Sequence, residues 1–107
     1  MTPLGKIRRA VCERAEGSCE ACGAHVGMDG ELGHLDHQFG RRAVAEAVSN
    51  CWILCPECDH SKTTNHPSAS HWVLKILLHA LENGFVDEAH RAAVRLSVLE
   101  QKSAVMR

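Results

Sequence analysis

Apolar residues recur at helical spacing in three stretches of this chain and crowd together in a fourth. Leu4, Ile7 and Val11 fall three or four residues apart, with Thr2 placed to cap a helix, Pro3 in its first turn and Gly17 able to end it. Asp29-Gly30 then reads as a hairpin turn between short strands at about residues 24 to 28 and 31 to 38. A loop opens at Gly40-Arg41-Arg42 and runs through Ser49, with room for a helical turn at residues 43 to 47. The crowded apolar stretch, residues 50 to 54, leads towards a helix expected to start near Asp59 and to be interrupted at Asn65-His66-Pro67. Ser70 can cap the next helix, whose Val73, Ile76, Leu77 and Ala80 form an apolar face up to Asn83-Gly84. A last helix is expected over residues 86 to 103. It would pack through Ala89, Ala93, Leu96 and Leu99, with Asp87 and Glu88 near its positive N-terminal end.

No repeat, low-complexity tract or linker divides the chain. The elements therefore predict one α+β domain over residues 1 to 107, with a core at about 19 to 66 and a C-terminal helical part at about 70 to 103. A domain of this size has a modest core, so a structural metal would supply much of its stability. The six cysteines offer one. Cys19 and Cys22 form one two-residue-spaced pair, Cys55 and Cys58 another, which suits four thiolates around one tetrahedral Zn²⁺. Residues 1 to 6 lack an apolar stretch long enough for a signal peptide and no segment approaches a membrane span, so a cytosolic chain is expected. There, reduced thiols favour metal ligation over disulfides. Cys12 and Cys51 are left over and read as small core residues. Two cooperating pairs without a βαβ pattern argue against a dithiol redox enzyme.

A formal net charge of −1 does not advertise nucleic-acid binding, so any basic footprint must be local. Lys6, Arg8, Arg9 and Arg14 gather near the N-terminus, Arg41 and Arg42 follow Asp36-His37, and Lys62 follows the second cysteine pair. The N-terminal group is equally readable as a solvated helix surface. His25, His66, His71, His79 and His90 read as surface or helix-face residues, Trp52 and Trp72 as core.

The remaining polar residues form a series. Asp36-His37, Asn50, the Cys55-Pro56-Glu57-Cys58 knuckle, Asp59 directly after it and Lys62 shortly beyond follow one another at fixed intervals. Over roughly residues 19 to 63 this series resembles the HNH endonucleases, the ββα-metal nucleases. The resemblance implies a ββα-metal core stapled by the cysteine zinc site, and metal-dependent hydrolysis of DNA phosphodiester bonds. One strand would be nicked per encounter, by a chain for which a monomer is favoured. His37 would serve as general base, since an imidazole can take a proton from water at physiological pH. Asp36 and Asp59 would hold a catalytic Mg²⁺ or Mn²⁺, which suits hard carboxylate oxygens. Asn50 would orient the His37-bearing loop through backbone hydrogen bonds. Arg41, Arg42 and Lys62 would hold phosphates, with His60 as a further phosphate contact.

One position departs from the family pattern. The residue after the second knuckle is often His, whereas here it is Asp59, with His60 one place later. One step along a helix turns the side chain by about a quarter turn, so the two cannot serve the same ligand position, and Asp59 is the assigned ligand. Strand geometry sets a second condition. Consecutive strand residues point to opposite faces, so Asp36 and His37 can both reach one site only at a bulge or a strand end. A regular strand would instead pair His34 with Asp36. The cysteines alone fit equally well a zinc-stabilised nucleic-acid-binding module without catalysis; the series Asp-His, Asn, Asp, Lys favours the nuclease.

Overall fold

The computed structural model describes residues 2 to 39, 48 to 65 and 70 to 105. The expected helical turn at 43 to 47, together with Arg41, Arg42 and His66-Pro67, lies outside them. The chain is an α+β protein. Helix α1 (Pro3–Ala15) is followed by strand β1 (His34–His37), a 3-10 turn at Val48–Asn50, strand β2 (Cys51–Leu54) and helices α2 (Pro56–Asn65), α3 (Ser70–Asn83) and α4 (Val86–Val105). None of these helices is long and apolar enough to cross a membrane.

Thr2 caps α1 as its sequence suggests: the Thr2 hydroxyl accepts from the Gly5 N–H at 3.0 Å. The helix ends at Ala15, and the residue before Gly17 caps it. Glu16 adopts the left-handed conformation, and its N–H bonds to the Cys12 carbonyl. Helix α2 begins at Pro56 rather than near Asp59, because proline at the first helical position gives up only an N–H that would have had no intrahelical partner.

The strands depart most from expectation. Residues 24 to 28 form no strand, only an isolated bridge between Ser18 and His25. Their backbone is already committed: the Ala24 carbonyl accepts from Cys19 N–H at 2.7 Å, Val26 N–H donates to Gly17 at 2.8 Å, and the Val26 carbonyl accepts from Leu32 N–H at 2.9 Å. Asp29-Gly30 is still a turn. Gly30 sits at φ 68°, and a Cβ there would come within 2.8 Å of the Cys12 sulfur, so glycine is required by both conformation and space. β1 pairs instead with β2, antiparallel, in the register His34 to Leu54, Leu35 to Ile53, Asp36 to Trp52 and His37 to Cys51.

All four residues of β2 are buried, because helices and β1 cover the small sheet. Trp52 meets Trp72 of α3 edge-to-face, ring centroids 6.2 Å apart, and Val11, Val26, Ile53, Leu54, Val73 and Ile76 complete the core. Cys12 and Cys51 are both buried. Burial pushes the Cys12 thiol up, as suits an inert core residue. In α4 the packing face is Ala92, Leu96 and Leu99. Ala93, expected to pack, is exposed, since it lies a quarter turn away from that stripe.

Candidate metal centre and the acidic site beside it

Two knuckles bring the four cysteines together. The first is closed by Gly23 N–H on the Cys19 carbonyl at 2.8 Å, the second by Asp59 N–H on the Cys55 carbonyl at 2.9 Å, and Glu20 N–H on the Ile53 carbonyl at 3.0 Å ties one to the other. The sulfurs of Cys19, Cys22, Cys55 and Cys58 all lie within 4.8 Å of one another. A tetrahedral zinc with Zn–S bonds of about 2.3 Å needs sulfur–sulfur edges of about 3.8 Å. Cys22 and Cys55 are already 3.7 Å apart, so the group fits a zinc ion. Without a cation the thiols oppose one another: burial, then the neighbouring Cys22 and Cys55, push Cys58 well up. Burial also works against ionising Cys19, yet hydrogen bonds from the Cys55, Ala21 and Cys22 backbone outweigh it and bring that thiol down. A divalent cation resolves the conflict by stabilising all four thiolates at once.

The second group lies on β1, the turn before β2, and α2. Asp36 Oδ2 accepts from Trp52 Nε1 and from Lys62 Nζ, each at 2.9 Å. The Asp36 side chain is 19% exposed and Lys62 only 6%. Lys62, expected on a phosphate, is thus paired with a carboxylate. Asn50 is fully buried; its Oδ1 accepts from Phe39 N–H at 3.3 Å and its carbonyl from Gln38 N–H at 2.7 Å. Both bonds hold the backbone immediately after His37. β1 pairs without a bulge, but His37 is its last residue and is buried, at 9% exposure. His34, on the same face as Asp36, is exposed.

Asp59 is half-buried in the first turn of α2. His60 beside it is exposed, with Nε2 3.5 Å from the Thr64 hydroxyl of the same helix. Among the described residues the four cysteines are the one group of three or more metal-capable side chains drawn this close, and Asp36 and Asp59 join no third such residue.

Sequence reasoning missed the group that locks these parts together. Arg14 makes a two-pronged contact with Glu20, Nε to Oε2 at 2.7 Å and Nη2 to Oε1 at 2.8 Å, and also donates to the carbonyls of Val48 and Cys51. Glu20 further accepts from Ile53 N–H at 3.1 Å and from His79 Nε2 at 2.7 Å. Gln38 Nε2 donates to His79 Nδ1 at 3.1 Å, so the His79 proton sits on Nε2, facing Glu20. Burial alone would raise the Glu20 carboxyl; His79 and Arg14 outweigh it and hold it below the usual carboxylate range. Arg14 is therefore no part of a positive face, and His79 no surface histidine. Nothing in their spacing announces a contact between residues so far apart in the chain. Comparison with known proteins returns no matching family model, no matching curated relative and no matching solved structure.

Proposed function

We propose that this protein is a divalent-metal-dependent endonuclease of the HNH, ββα-metal type that hydrolyses DNA phosphodiester bonds, nicking one strand per encounter at each site. The observation that carries the reading is the Lys62–Asp36 contact at 2.9 Å. It joins the first and last members of the dispersed series across two antiparallel strands and the helix that follows them, the order of elements such a nuclease requires. The placement of Asn50 on the backbone behind His37 adds support.

In this reading His37 accepts the proton of the attacking water, and the Asn50 bonds fix the turn that carries it. Asp36 and Asp59 would supply the oxygens for Mg²⁺ or Mn²⁺, which would stabilise charge on the phosphoryl and departing 3′ oxygens. Lys62 pairs with Asp36 in the meantime and can exchange it for an entering phosphate. The cysteine cage contributes rigidity only. The same contact also supports a second reading: Asp36 closed by Trp52 and Lys62 is what a purely structural ion pair looks like, and the chain would then be a zinc-stabilised nucleic-acid-binding module without turnover.

Conversion of supercoiled plasmid to open circles separates the two. The nuclease reading expects conversion with Mg²⁺ or Mn²⁺, its loss in Asp36→Ala and Asp59→Ala, and only modest weakening in His60→Ala. An inactive His60→Ala beside an active Asp59→Ala moves the ligand to His60. No conversion under any of these metals, with zinc content and fold intact, leaves the binding module.

A further inference from the structure

Helix α3 is apolar on two sides. Trp72, Val73, Ile76 and Ala80 are buried in the molecule, and Leu77 packs at the edge of the core. Facing away, Leu74, Leu78 and Leu81 are 47%, 51% and 60% exposed. Together with Leu77 they stand at i, i+3, i+4 and i+7, so their side chains form one continuous seam along the helix. No charged residue interrupts the seam. Single exposed leucines are ordinary, but a contiguous row on a helix whose opposite side is already buried in the core marks a contact surface.

We propose that this seam joins two copies of the chain through an antiparallel pairing of α3 with α3. The seam is complementary to itself. About a two-fold axis passing between Leu77 and Leu78, Leu74 of one copy meets Leu81 of the other, and Leu77 meets Leu78. His71 and Glu82, both exposed, lie on the same flank of the seam near its opposite ends. The same axis brings His71 of each copy beside Glu82 of the other, whereas a parallel pairing would put the two copies of that flank on opposite sides of the seam. A two-fold contact uses one patch twice and therefore needs opposed groups that match, which this stripe provides. The pairing departs from the monomer favoured on sequence grounds, and it stands whether or not the chain cuts DNA.

Sedimentation velocity of the zinc-loaded full chain, run from about 1 to about 200 µM, tests it on the affinity scale expected of a small interface. The mass should rise with concentration from 11.7 kDa to twice that value. Leu78→Glu should keep the wild-type circular dichroism and remain a monomer throughout; Leu81→Glu, at the most exposed seam position, serves as a second check. Leu74→Lys and Leu81→Glu should each raise the midpoint concentration about tenfold or more alone. Mixed together they should recover a heterodimer, because lysine on one copy then meets glutamate on the other while the second contact stays Leu to Leu. A wild-type chain that is monomeric at every concentration overturns the proposal, as does a dimer unmoved by both glutamate variants. A mixture that fails to associate overturns the antiparallel register.

Discussion

The cysteine cage can take a cation, and under the proposed function so would the Asp36 site, yet the chain holds the two in opposite ways. In the cage, sulfurs lie within 4.8 Å of one another, and burial and crowding push the Cys58 thiol up. That arrangement is unfinished without a metal. At the other site Asp36 already has a cation, Lys62 at 2.9 Å, and a donor in Trp52. It is complete without one. A metal in the cage adds folding energy, whereas a metal at Asp36 has to compete with the protein's own ammonium group.

The largest effect should come from the cage. Cys55→Ser is expected to lose zinc and to unfold the core at ambient temperature, because in a small domain the metal-binding energy of a structural site is folding energy. Zinc analysis with thermal melting checks this; one equivalent of zinc and an unchanged midpoint would show that the four cysteines do not form the site.

Next in size is the buried carboxylate that ties the knuckles to α1, β2 and α3. Glu20→Ala leaves the Arg14 guanidinium and His79 buried without their acceptor, and should cost about 3–5 kcal/mol in chemical denaturation. The milder Glu20→Gln also carries a pH signature. The carboxyl is held below its unfolded value, so its contribution is fully present above the ordinary carboxylate pKa of about 4.3 and disappears as pH falls through the lowered native value. The gap between wild type and Glu20→Gln should therefore be constant from neutral pH to about pH 5 and narrow below that. A gap that widens on acidification would contradict the assignment of charge.

The smallest effect should be at the acidic site, and it has the opposite sign. Lys62→Gln removes the resident cation from Asp36 and should tighten Mn²⁺ binding by roughly fivefold, about 1 kcal/mol, while plasmid cleavage falls if Lys62 moves to the phosphate. Titration calorimetry beside a cleavage assay reads both. Unchanged Mn²⁺ affinity would mean that Asp36 is not where the metal goes.

The sequence was most legible where the physics is local. Two-residue spacing gave the knuckles, Thr2 the start of α1, and the period of Val73, Ile76 and Ala80 the buried face of α3, because each depends on neighbours a few residues away. Strand pairing was misread for the converse reason. Asp29-Gly30 signals a turn, and the nearest strand candidates were joined across it, but the backbone of residues 24 to 28 closes the first knuckle and β1 finds its partner across the segment from Gln38 to Asn50. The Arg14–Glu20–His79 group could not be read at all, since α1, the first knuckle and α3 meet only in three dimensions. Lys62 was recognised as part of the series, yet its contact with Asp36 depends on the turn of α2, which spacing alone does not give.

The central claim is that His37 performs chemistry while neighbouring groups bind, and His37→Ala separates the two. Nicking of supercoiled plasmid and DNA affinity should be measured on the same zinc-loaded preparation in Mn²⁺. The account predicts nicking reduced by about 10²- to 10⁴-fold, the usual cost of losing a general base, with zinc content and DNA affinity close to wild type. Near-normal nicking by His37→Ala would contradict it.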